Sequence, residues 1–188
     1  MSLAITEYTQ LTENIRLEAW ALYGDAFVGV NELAAQRHLM TPAEFDDMTW
    51  DKRISKLIAR DEDGRMVGLS TITNDLAAWP LISPPYFRRN WPDHYAREAI
   101  WYIGIVGVHP TASGRHVFSA LIEAMSPRVF ASDGLAVMDF CSFNEDVRQI
   151  PRATRVLLKR LHPVPSGVEG RQVDTQSTWV FRFDGQGV

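Results

Sequence analysis

Ten consecutive residues, Ala99-Ile100-Trp101-Tyr102-Ile103-Gly104-Ile105-Val106-Gly107-Val108, carry no charge and are almost all apolar. A run of that length, rich in β-branched and aromatic residues and without alternation, reads as a strand covered on both faces. Directly after it come His109-Pro110-Thr111-Ala112-Ser113-Gly114-Arg115-His116, then a helix-period pattern of Val117, Leu121, Ala124 and Met125. A buried strand therefore feeds a short loop whose last residues open a helix. The first N–H groups of a helix have no partner inside it, and the helix dipole adds positive character at the same end. Such an end is a ready place for an anion, most often a phosphate. A strand covered on both faces also needs helices on both faces, which selects an α/β fold.

The rest of the chain alternates in the same way. Residues 3–8 read as a first strand. Thr12 can cap a helix whose apolar stripe is Ile15, Ala19, Leu22, Tyr23, Ala26 and Phe27. Gly29 breaks it, and residues 31–40 read as a second helical piece. Thr41-Pro42-Ala43-Glu44 is a helix start, with Thr as cap, Pro at the first position and Glu three residues after the cap. Residues 55–60 and 66–74 are strands joined by the turn Asp61-Glu62-Asp63-Gly64. Residues 75–98 are irregular and aromatic, long for a hairpin connection, and read as a functional loop. Beyond the helix at about 115–130 come a strand over 135–143, a helix over 150–161, a Pro/Gly loop over 162–170 and a final strand over 178–183.

Val108, Pro110, Gly114, Arg115 and Leu121 resemble the acyl-CoA-binding signature of the GNAT superfamily of N-acetyltransferases, roughly Val-x-Pro-x-x-(Gln/Arg)-x-x-Gly-x-(Gly/Ala) before a helix. The chain departs from it at Ser113, where Gln or Arg is usual, and at His116 and Phe118, where small residues are usual. The order β, α, α, ββ, β, α, β, α, β also matches that family over nearly the whole chain. The resemblance implies one domain over residues 1–188 with a mixed α/β (α+β) sheet of six to seven strands and helices on both faces. Its fourth and fifth strands, 99–108 and 135–143, would run parallel and splay apart, and the arm of acetyl-CoA or another acyl-CoA would enter the gap. The backbone of Val106, Gly107 and Val108 would hold the arm. The loop Ser113, Gly114, Arg115, His116, Val117, Phe118 and Ser119 would cradle the pyrophosphate. Asn144 stands where many relatives carry an Asn that meets the same arm. Gly104 and Gly107 fit a strand with a bulge or a close backbone approach, and equally fit plain small-residue packing.

Acyl transfer to an amine needs a polarised carbonyl, a neutral amine and a protonated leaving thiol. Counting back by the family's spacing places Tyr102 where many relatives carry a Glu base; a phenol is a poor base at pH 7, but it can orient a water or the acceptor. Glu98 is the nearest carboxylate in sequence. The Tyr that in many relatives protonates the thiolate has no counterpart, since Pro151 and Arg152 occupy its place; Cys141 and Ser142 are the next nearest groups. Trp20, Tyr23, Phe27, Trp50, Trp79, Phe87, Trp91 and Trp101 are candidate walls of an acceptor pocket. Arg88-Arg89 can meet phosphates or a carboxylate.

The five histidines show no metal-ligand spacing, and no metal is expected. A net charge of −4 gives no electrostatic footprint for nucleic acid or for an anionic membrane. A single cysteine allows no intrachain disulfide and fits a reducing, cytoplasmic setting. The resemblance implies transfer of an acyl group from acyl-CoA to a small-molecule amine, by direct attack since the sequence shows no well-placed nucleophile. Association with a second copy of the chain is compatible with it. Two alternatives stand beside it: a GNAT-fold binding or regulatory protein that has lost catalysis, and an acyltransferase that takes its thioester from an acyl carrier protein.

Overall fold

The computed structural model describes residues 2–33, 39–80, 82–163 and 168–175. Five strands form one sheet in the order β1-β2-β3-β4-β5: β1 Ala4–Tyr8, β2 Ser55–Arg60, β3 Met66–Thr73, β4 Ile100–Val108 and β5 Leu135–Val137. The first four are antiparallel neighbours, and β4 and β5 are parallel. The expected six to seven strands thus become five among the described residues; the strand expected over 178–183 lies outside them. The fifth strand is also much shorter than its apolar run suggested. The chain leaves the sheet at Met138, and residues Phe143–Val147 wind into a single π-helical turn.

Helices cover both faces. α1 Glu13–Ala26 and α3 Pro42–Trp50 lie on one, with the short α2 Val30–Leu33 between them. Half of the segment expected over 31–40, residues 34–38, falls outside the described residues. Their apolar residues, among them Leu22, Tyr23, Phe45 and Met48, pack with Leu69, Tyr102 and Ile105. Phe45 is fully buried and lies against the rings of Trp20 and Tyr23. The capping box at Thr41 forms as the sequence predicts: the Glu44 N–H donates to Thr41 Oγ1 and the Thr41 N–H donates to the Glu44 carboxylate. α6 Gly114–Ala131 covers the other face through Val117, Leu121, Ile122 and Met125, and α7 Ile150–Leu161 lies outside α6. Pro127 inside α6 cannot donate to the Glu123 carbonyl; the Ser126 hydroxyl donates to it instead.

Residues 75–98 are not irregular. They hold a 3₁₀ turn at Leu76–Ala78 and two helices, α4 Pro84–Asn90 and α5 Pro92–Ala96. The prolines that suggested a loop stand at the first helical positions, where a missing N–H costs nothing. Phe87 stacks on Trp91, Tyr86 meets both edge-on, and the three join the α1 side of the core.

Lys56 on β2 has 0% exposure. Its ammonium donates to the carbonyls of Thr9 and Asp51 at 2.9 and 2.6 Å, tying the start of the chain to the end of α3. Burial lowers its pKa to about 8 against the pull of Asp51. Between about pH 8 and the ordinary lysine value the unfolded chain holds a proton that the folded chain has released, so stability rises with pH in that window. The full difference corresponds to about 3 kcal/mol, and relaxation around the charged amine reduces the observable rise to about 1–2 kcal/mol. Denaturant unfolding at pH 8 and pH 10 is expected to show this rise, and Lys56→Met is expected to flatten it.

Candidate active site

β4 and β5 pair at only three positions: Ile100 with Leu135, Trp101 with Ala136 and Tyr102 with Val137. From Ile103 to Val108 that edge of β4 has no strand beside it among the described residues. The unpartnered edge is about 20 Å long at the usual rise per residue. Its geometry follows from the opposite edge. The His109 N–H donates to the Val67 carbonyl, and Gly107 and Ile105 face Leu69 and Thr71 in the same alternating register. The N–H and carbonyl groups of Val106 and Val108 therefore point away from β3, into the opening. The step from Tyr102 to Ile105 on β4 faces the shorter step from Thr73 to Thr71 on β3, so β4 carries an extra residue around Gly104. The glycines also answer to packing. A Cβ on Gly107 would stand 3.2 Å from the Phe27 ring, and one on Gly104 would run into Trp79.

The mouth of this opening is the start of α6. Ser113 caps the helix without a side-chain hydrogen bond, and its carbonyl accepts from the N–H groups of His116 and Val117. The N–H groups of Ser113, Gly114 and Arg115 donate to no described residue. The seven-residue cradle expected from Ser113 to Ser119 is thus narrowed to three free amides, because the amides from His116 onward are used by the helix. Val117 is buried in the core, Phe118 and Ser119 are half-buried, and Ser113, Gly114, Arg115 and His116 are exposed. Asn144 is half-buried in the π-helical turn, and its side chain bonds to no described residue.

At the closed end of the opening, the Tyr102 hydroxyl donates to the Asp139 carboxylate. Tyr102 is 4% exposed, and its ring lies 5.3 Å from that of Trp79. Burial, then the charge of Asp139, then this hydrogen bond push its pKa far above the ordinary phenol value. Tyr102 therefore stands as a hydrogen-bond donor to Asp139. Asp139 is exposed, two residues beyond the end of β5. Sequence reasoning missed it, although it is the one charged residue in the run Leu135 to Phe143.

Glu98 is not part of this group. It sits before β4 in a left-handed conformation, φ 53°, exposed, with its carbonyl accepting from the Asn74 side chain. Four residues of extended chain, about 13 Å, separate it from Tyr102 on the side away from the opening. Trp101 points to the α6 face, where its indole donates to Ser132, and Trp50 is largely exposed, so neither stands with Trp79 and Tyr102. Arg88 lies over the Tyr95 ring. Residues 168–175 lie against α4 and the π-helical turn: the Tyr86 hydroxyl donates to the Val173 carbonyl, the Gln172 amide to Glu145, and Arg171 lies over Trp91. No group of side chains able to hold a metal occurs among the described residues, and none of the described helices is long and apolar enough to cross a membrane.

No protein-family model matches the chain, and no curated protein matches it in sequence. Solved structures do match in shape. AAC(6')-Iy, in complex with the bisubstrate analogue CoA-S-monomethyl-acetylneamine, aligns at TM-score 0.54 with 12% identity over 96% of this chain and 100% of the other. The aminoglycoside acetyltransferase meta-AAC0020 from an uncultured soil metagenomic sample, in complex with sisomicin, aligns at 0.52 with 16% identity over 94% and 96%. A mutant of the BH1408 protein from Bacillus halodurans aligns at 0.54 with 13% identity over 94% and 99%. The chain has the GNAT fold.

Proposed function

We propose that the chain is an N-acyltransferase that moves an acyl group, acetyl first of all, from acyl-CoA to the amine of a small molecule by direct attack. The observation that supports this most is the opening of β4 away from β5 beside the three free amides of Ser113, Gly114 and Arg115. A pantetheine arm has amides of its own, which can pair with Val106 and Val108 as a further strand would. The pyrophosphate then meets the amides and the positive end of α6. The unbonded Asn144 side chain is available to the same arm. The complexes of the similar structures, one with a CoA analogue and one with an aminoglycoside, agree with this reading.

Asp139 is exposed, negatively charged and fixed by Tyr102, so it is suited to receive the ammonium of an acceptor. One proton passes from the ammonium to Asp139 and on to water. The freed nitrogen lone pair forms the C–N bond as the C–S bond breaks, and a second nitrogen proton ends on the CoA sulfur. Nothing in this sequence requires a protein nucleophile. The presence of a bound carboxylate at the closed end favours catalysis over a purely binding role.

Gly114→Pro is the sharpest test of the cradle. Gly114 is the first residue of α6, where proline is well accepted, and a Cβ there meets nothing within 4 Å. The substitution removes one free N–H and little else. Loss of one hydrogen bond to a charged group is expected to weaken CoA roughly tenfold or more by calorimetry, with melting temperature unchanged. Failure of CoA to bind the wild-type chain, or equal binding by Gly114→Pro, would count against the reading.

A further inference from the structure

We infer that Trp79 sets the length of the acyl group, restricting the donor to acetyl- and propionyl-CoA. This rests on the reading above, which places the phosphates at α6 and runs the arm along β4 from Val108 toward Tyr102. The acyl group is the last part of that donor, so it arrives where β4 and β5 close, at Tyr102 and Gly104.

Trp79 occupies that place. It follows the 3₁₀ turn Leu76–Ala78, which Asp75 caps by accepting from the Ala77 N–H. The indole is only 6% exposed. Its six-membered ring lies on the backbone of Gly104: a Cβ on that residue would stand 2.7 Å from Cζ3 and closer still to Cη2 and Cζ2. The Tyr102 ring, on the same strand and itself held by the Asp139 carboxylate, lies tilted against the indole. The indole is thus packed on β4 against both the Gly104 backbone and a hydrogen-bonded phenol. The glycine at position 104 is what lets the ring approach, and the extra β4 residue at the same point turns that stretch of backbone toward it.

A buried wall of this kind discriminates by roughly tenfold or more for each methylene that does not fit. The test is a calorimetric ladder of CoA, acetyl-, propionyl-, butyryl- and hexanoyl-CoA on the full chain. Wild type is expected to bind the first three within about threefold of one another, and hexanoyl-CoA, three methylenes beyond propionyl, roughly a thousandfold more weakly. Trp79→Ala is expected to bring hexanoyl-CoA back to within about tenfold of acetyl-CoA, and Trp79→Leu to do so in part. Wild-type binding of hexanoyl-CoA as tight as that of acetyl-CoA overturns the inference, even if neither variant folds. So does a variant that still binds CoA but rejects hexanoyl-CoA as wild type does. If wild type binds no CoA at all, the transferase reading itself fails, and this inference with it.

Discussion

Asp139→Asn lowers acceptor-dependent thiol release from acetyl-CoA by about 10²- to 10³-fold, while CoA affinity stays as in wild type. The amide keeps the size of the carboxylate and still accepts from Tyr102, but it carries no charge for an ammonium and takes no proton. Assay over a panel of primary amines (putrescine, spermidine, tyramine and tryptamine) reads the effect. Glu98→Gln is the control: it lies at the far end of β4 and is expected to leave turnover within about twofold, as an exposed residue away from the chemistry should. Reversal of the two results would return the role to the carboxylate nearest in sequence. Tyr102→Phe is expected to fall between them, since it removes the donor that fixes Asp139 but not the charge.

Gly134→Val destabilises the chain by about 3 kcal/mol and lowers its melting temperature by about 6–12 °C in scanning calorimetry. A Cβ there would stand 2.6 Å from the Ala99 carbonyl oxygen and 2.6 Å from Ser132 Oγ. The first obstacle is backbone, and it is also the acceptor of the Leu135 N–H at 2.8 Å, so it cannot yield without loosening β5 from β4. The cost therefore falls at the upper end of what overpacking produces. Since this is the closed end of the opening, the variant is also expected to bind acyl-CoA more weakly at temperatures where it remains folded. A melting temperature within about 2 °C of wild type would show that the two strands tolerate separation there.

Much of this was legible in the residues. The apolar run from Ala99 to Val108 announced a strand covered on both faces. The period of Val117, Leu121 and Met125 placed α6, and Thr41 with Glu44 placed α3 through its caps. The end of β5 was not legible, because Met138 to Phe143 is as apolar as a strand; what stops it is the divergence from β4, a property of the assembled sheet. The helices between Asp75 and Glu98 were hidden by prolines that break a helix in its middle but suit its start. The pairing of Tyr102 with Asp139 joins residues 37 apart in the chain, and no local pattern carries such a contact. Glu98 looked near in sequence and proved distant because an extended chain covers ground quickly.

The free donors at the mouth of the opening are main-chain groups, and every residue except proline supplies the same N–H. Serine can therefore stand at position 113 and arginine at 115, and the amide there is still left without a partner among the described residues. Such a device is nearly blind to mutation. It lets a chain drift until comparison of letters finds nothing, while the curve of the backbone, and whatever it holds, persists.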